Sequence, residues 1–240
     1  MSGFTEGIAA AAALKDELRG KIYGFIRRSR RAVTREEVAA DVGISTKLAA
    51  FHLDHLVDRG LLSTHFARPA GRSGPGAGRT SKFYQPSDKQ VEISIPPRKY
   101  DVAGELLLRA LSSQGPDESP GVAALRVSNE AGLELGRELR AAAGKGRVGA
   151  ERALRVIENV LEERGYEPYR AEKGVVRLRN CPFHHLARQA PEFICAMNRQ
   201  FVEGIAKGLG NNSLQVLLEP SPTECCVCMR LPSGDKSGQP

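Results

Sequence analysis

The first 180 residues of this 240-residue chain contain no cysteine, and the stretch between Asp58 and Asp88 contains no acid. No apolar run approaches the roughly 20 residues that span a bilayer. The N-terminal GIAAAAAL lacks a preceding basic segment, and Lys15, Asp16 and Glu17 follow at once, so it does not read as a signal peptide. These absences point to a cytoplasmic protein with no membrane partner. Its five cysteines are then expected as reduced thiols or metal ligands rather than disulfides. A Gly-rich phosphate loop and paired catalytic carboxylates are also missing, which removes the commonest enzyme signatures.

What is present is unevenly placed. The chain has 35 Lys and Arg against 28 Asp and Glu, a net of +7. Residues 1–100 hold 17 basic and 10 acidic side chains, whereas residues 101–240 hold 18 of each. The whole excess lies in the first 100 residues, the pattern of a segment that meets a polyanion joined to one with another task.

In the basic part, Leu14, Leu18, Ile22, Phe25 and Ile26 recur at the spacing of one buried helical face, which predicts a helix from Ala10 to Arg28. Thr34 and Glu37 are spaced as a capping box for a second helix that ends at Val42 and Gly43. Ser45 then caps a third, with Ala49, Leu53, Leu56 and Val57 facing inward and Thr46, Lys47, Ala50 and Phe51 outward. Two short helices across Gly-Ile-Ser make a helix-turn-helix, and the second fits a major groove about 12 Å wide. A helical bundle with no DNA role has the same pattern. The alternating LLSTHFA and the strand at Lys82–Gln85 flank RPAGRSGPGAGRTS, so this stretch is the loop of a hairpin. A wing explains the five basic residues between Asp58 and Asp88 better than a linker does. Glycine lets backbone approach phosphate, and arginine suits a narrow minor groove. The candidate DNA contacts are Arg35, Ser45, Thr46, Lys47, Ala50, His52, Arg68, Arg72, Arg79 and Lys82.

VGISTKLAAFHLDHLVDRGLL, RPAGRSGPGAGRTSKFY and IPPRKYD, followed by NCPFHHLA, VEGIAKGLG and ECCV, resemble a group of bacterial winged-helix transcriptional regulators near the ArsR type that includes SufR-like repressors. The resemblance covers most of the chain. It implies a DNA-binding regulator, acting as a homodimer on an inverted-repeat operator. It also makes the helix around Ser45, Thr46, Lys47 and His52 the recognition helix. His52 serves equally as a histidine packed on the preceding helix.

The neutral part opens at IPPRKYD, where two prolines stop regular structure. Val102, Leu106, Leu107, Ala110 and Leu111 predict an amphipathic helix placed to join two protomers, followed by helices at about 122–142 and 148–164. Beyond Tyr166 the texture becomes that of a small antiparallel sheet with a helix at about 191–208. The expected fold is α+β: a winged helix-turn-helix over 1–95, a linker and helical dimerisation segment over 96–165, and a cysteine-containing sensory domain over 166–240.

Strand alternation puts Cys225 with Val227 and Met229 on one face, and Cys226 with Cys228 on the other. Cys181 ends a strand and Cys195 lies early in a helix, so all three segments can converge. Three thiolates and a fourth ligand suit an iron–sulfur cluster, or zinc with His184 or His185. SufR-like members hold a cluster through cysteines in these segments, which implies Cys181, Cys195 and one of Cys225, Cys226 and Cys228 here. Packed thiols beside a small-molecule effector are the alternative. Cys181 with His184 and His185 also invites a thiol-nucleophile reading. No Asn or Asp stands out to orient the imidazole, and the expectation is a protein that is not an enzyme.

Overall fold

A computed structural model describes residues 2–68, 80–142 and 148–232. The chain divides into two compact units, residues 1–93 and 94–240. Both combine helices with an antiparallel sheet, the α+β arrangement.

The first unit contains α1 (Ser2–Lys15), α2 (Glu17–Ser29), β1 (Val33–Thr34), α3 (Arg35–Val42), α4 (Thr46–Asp58), β2 (Leu62–Ala67) and β3 (Ser81–Pro86). The single helix predicted from Ala10 to Arg28 is two helices. Asp16 adopts an extended backbone and its carboxylate accepts the Arg19 N–H at 2.9 Å, capping α2 and closing α1. The capping box at α3 is complete. Glu37 N–H donates to the Thr34 hydroxyl at 3.3 Å, and Thr34 N–H donates to the Glu37 carboxylate at 2.7 Å. Gly43 ends α3 in the left-handed region at φ 73°, and the Ser45 hydroxyl accepts the Leu48 N–H at 3.2 Å to start α4. Ala49, Leu53 and Leu56 of α4 are fully buried against Ile22 and Ile26 of α2 and Val38 of α3. The sheet has the order β1-β3-β2, with Thr64 opposite Tyr84 across the hairpin.

The second unit contains α5 (Tyr100–Ser112), α6 (Pro120–Ala142), α7 (Ala150–Glu163), β4 (Pro168–Glu172), β5 (Val175–Leu178), α8 (His184–Gln189), α9 (Pro191–Gly208), β6 (Gln215–Leu218) and β7 (Val227–Arg230). Its four strands form an antiparallel sheet in the order β4-β5-β7-β6. The boundary expected at residue 165 falls inside one core. Ile157 and Leu161 of α7, Leu178 of β5 and Ile205 of α9 belong to the same buried cluster. α6 and α9 pack with backbone against backbone. A Cβ on Gly132 or Gly136 would overlap the carbonyls of Phe201 or Ile205, and one on Gly204 or Gly208 those of Asn129 or Leu133. Glycine is required there because only a missing side chain permits that approach.

Of the α5 residues expected to join protomers, all but Leu111 are used within the unit. Ala103, Leu106 and Ala110 are buried in its core, and Val102 and Leu107 pack against it. A second apolar stripe faces outward: Tyr100, Gly104, Leu108 and Leu111, with the two leucines 65% and 64% exposed.

Candidate nucleic-acid interface and cysteine cluster

α4 presents a divided surface. Its back is core, while Lys47, Leu48, Phe51 and Asp54 are exposed and Thr46 and Ala50 half-buried. Ser45 is exposed, but its hydroxyl is engaged as the helix cap. Phe51, 64% exposed, stands edge-on to the His52 ring with centroids 5.3 Å apart. His52 itself is only 7% exposed, so it turns inward rather than toward the outer face, and among the described residues its Nδ1 has no hydrogen-bond partner. Of its two expected roles, packing is the one its position allows.

The hairpin shares a buried core with α4 through Leu62 and Tyr84, and a carboxylate of α4 ties it at the surface. Asp54 accepts from Lys82 Nζ and from the Tyr84 hydroxyl, and the Lys82 ammonium also lies 5.1 Å from the Tyr84 ring centroid. Asp54 raises the Lys82 pKa, chiefly through that hydrogen bond, and burial raises that of Tyr84. Lys82 therefore serves first as a tie between strand and helix. Arg35, at the start of α3, is paired with Glu36 at 2.8 Å, and Arg68 is exposed at the root of the loop. Arg72 and Arg79 lie outside the described residues. Phe66 of β2, 69% exposed, is a further outward aromatic on the hairpin. Alternation gave no signal for it, because Phe66 shares a face with Leu62 and with Thr64, which lies opposite buried Tyr84.

Four of the five cysteines gather at one corner of the second unit. Cys195, in the first turns of α9, and Cys226, in the bend before β7, are joined by a disulfide with Cα atoms 6.4 Å apart. That separation lies in the usual range of about 4.4–6.8 Å, and it corrects the expectation of reduced thiols for this pair. Cys181 and Cys225 are buried free thiols. The Cys225 thiol donates to the Cys181 sulfur, which holds Cys181 below its ordinary value with help from the Phe183 N–H and Arg98. The same bond, together with burial, pushes Cys225 far up. Asn198 of α9 donates to Cys225 Sγ at 3.4 Å and accepts the Tyr166 hydroxyl at 2.7 Å.

Cys226 and Cys228 do not share a face with a common site. Strand alternation begins only at Val227, so the bend places both Cys225 and Cys226 toward α9. Cys228 is buried among Glu219, Arg177 and Arg230, where burial raises its thiol pKa. His184 and His185 are exposed on α8. The His184 backbone N–H donates to the Cys181 carbonyl at 3.0 Å, and the His185 ring meets Gln189 at 2.9 Å.

In kind and number, Cys181, Cys195, Cys225 and Cys226 are donors of the type an iron–sulfur cluster takes. In arrangement they stand as two pairs, one of them bonded. Among the described residues no group of three or more His, Cys, Asp or Glu side chains is placed to hold a metal ion. A cluster does not fit the pairs as they stand.

The backbone carrying Cys181 also grips the segment that opens the second unit. Asn180 Nδ2 donates to the Pro97 carbonyl at 3.0 Å and to that of Gly165. Arg98 donates to Asn180 Oδ1 and, at 3.1 Å, to the Cys181 carbonyl. Lys99 N–H donates to the Pro182 carbonyl at 3.1 Å. The IPPRK and NCP stretches of the sequence are thus two halves of one clamp.

Among the described residues no helix is long and apolar enough to cross a membrane. Compared with family models, with curated proteins and with solved structures, the chain matches none.

Proposed function

We propose that this chain is a DNA-binding transcriptional regulator, acting as a repressor. In this reading α3, its turn and α4 are a helix-turn-helix, β2 and β3 are its wing, and the second unit carries dimerisation and sensing. The observation that carries the reading is the outward face of α4. Lys47 and Phe51 stand exposed within its first two turns, on a helix whose back is fully buried. A hairpin tied to the same helix leads into a loop with no acidic residue. A helix of this kind enters a major groove by its N-terminal residues, while basic loop residues neutralise phosphate.

The partner is double-stranded DNA with an inverted repeat, bound by a homodimer. The stripe of Tyr100, Gly104, Leu108 and Leu111 on α5 supports this, because it lies at helical spacing outside the unit's own core. The cysteine corner is read as the sensor, and no catalytic role is assigned to Cys181.

Selection from a random pool of duplex DNA, followed by binding titrations, tests the reading. An inverted repeat should be enriched, and Lys47→Glu should cost about 1–3 kcal/mol on it with little change in fold. Failure to enrich any sequence, with the same weak affinity for all duplexes, would remove the regulator reading.

An iron–sulfur cluster is a second reading, favoured by the convergence of four cysteines from three segments. It requires the Cys195–Cys226 bond to be open. Iron and sulfide analysis of anaerobically purified protein, with its visible absorption, decides it.

A further inference from the structure

We propose that Phe51 is a specificity-determining residue that reads the 5-methyl group of thymine, so that each half-site of the inverted repeat carries a T·A pair facing α4. This deepens the regulator reading above and rests on it for the binding of duplex DNA.

The outward face of α4 is polar at its ends and apolar in its middle. Lys47 opens it. Leu48 and Phe51 stand exposed three residues apart, the spacing at which helical side chains are neighbours. Asp54 follows, its carboxylate already taken by the Lys82 ammonium and the Tyr84 hydroxyl. The Phe51 ring is braced from within by the buried His52 ring, edge-on with centroids 5.3 Å apart, and the rest of it is open. A singly exposed apolar side chain is ordinary on a protein surface. Here a large ring is held up at the centre of the face that would meet a ligand.

Charge selects that ligand. The whole +7 excess of the chain lies in the first 100 residues, and the hairpin beside α4 leads into a loop with no acid. Both features suit a polyanion better than an apolar protein surface. A duplex offers α4 a major groove about 12 Å wide, in which thymine alone presents a methyl group among the donors and acceptors of the base edges. Phenylalanine has no donor or acceptor. Set against guanine, adenine or cytosine it would leave their polar edges dry and unpaired.

The remaining composition of α4 agrees. It contains no Arg, Asn or Gln. Asn and Gln are the residues that read adenine by two hydrogen bonds, so an A·T pair must be recognised from its thymine side. Lys47 is left for guanine or phosphate, and the paired Asp54 is not free to accept from cytosine.

The experiment uses the full chain and the inverted repeat that selection enriches. Each thymine is replaced in turn by uracil, in both half-sites together, which removes the methyl group and leaves the pairing edge unchanged. At one thymine or more, the unaltered protein should bind the uracil duplex about fourfold more weakly per half-site, the worth of one buried methyl group. Phe51→Ala should bind the thymine duplex more weakly and should bind both duplexes equally at that position, closing a double-substitution cycle. Phe51 lies outside the buried core, so the alanine variant keeps the fold. An enriched site indifferent to uracil, or a uracil penalty that survives in Phe51→Ala, overturns the proposal and leaves the regulator reading standing. A Phe51→Ala chain with altered self-association and unaltered DNA affinity also overturns it, since the ring would belong to a protein contact. Failure to enrich any sequence overturns both.

Discussion

Asp54 of α4 and Lys82 of β3 meet at 2.7 Å, so the helix and the hairpin share one ion pair. Both partners are partly exposed, and such pairs contribute about 0.2–1 kcal/mol. The pair matters more for where charge points than for stability. Asp54→Asn removes the charge that Lys82 pairs with and releases Lys82. Duplex DNA should then bind more tightly, with a salt dependence steeper by about 0.9 in log–log slope, one additional phosphate contact. Fluorescence anisotropy over a range of salt checks it, and an unchanged slope would place the root of the hairpin away from phosphate.

The contact between α6 and α9 predicts a sharp sensitivity to a single methyl group. Gly132→Ala or Gly204→Ala drives a Cβ into a carbonyl of the facing helix. Overpacking of this kind costs about 1–3 kcal/mol. Thermal melts should show the second unit weakened. Were both substitutions neutral, the two helices would have room that the packing denies them.

Glu118 gives a pH dependence with a definite sign. Arg126 donates to both of its carboxylate oxygens at 2.8 Å, and the Gly115 N–H helps to hold its pKa at about 2, below the ordinary 4.5. A carboxyl depressed in the folded state contributes stability that is fully present above pH 4.5 and is lost as pH falls toward about 2. The difference in melting temperature between the unaltered protein and Glu118→Gln should therefore be constant near neutrality and shrink below pH 4.5. A difference that does not vary between pH 5 and about 2.5 would mean the pairing adds nothing through charge.

The outer stripe of α5 makes the dimer testable without DNA. Leu108→Asp together with Leu111→Asp should convert a dimer into a folded monomer at micromolar concentration, because neither side chain belongs to the unit's core. Analytical ultracentrifugation reads this directly. A doubly substituted chain that remains dimeric would put the interface elsewhere.

The start signals of α3 and α4 were legible because caps are local. Thr34 with Glu37, and Ser45 before a run of good helix formers, encode their helices within four residues. The hairpin was equally plain from alternation and a Gly-rich loop. What could not be read is what depends on partners distant in sequence. Asp16 as the break between α1 and α2 was hidden inside a continuous apolar pattern. The glycines of α6 and α9 look like weak helix residues until the facing backbone is known. Cys225 and Cys226 were assigned opposite faces by a strand rule that holds only from Val227 onward. The first stripe of α5 was correctly apolar, yet all of it but Leu111 faces the unit's own interior, since periodicity tells which residues share a face and not what covers it.

The clamp at Asn180 also fixes where the chain tolerates being cut. A fragment beginning at Ser94 keeps Pro97, Arg98 and Lys99, and with them the acceptor and donors that the Asn180–Pro182 stretch uses. One beginning at Tyr100 removes all three, although no residue of an element has been lost. Asn180, itself buried, would then have the Gly165 carbonyl as its only remaining partner of the clamp. A buried amide left short of partners costs about 1–3 kcal/mol. Pro97, Arg98 and Lys99 belong to the packing of the second unit and cannot be trimmed as a tether.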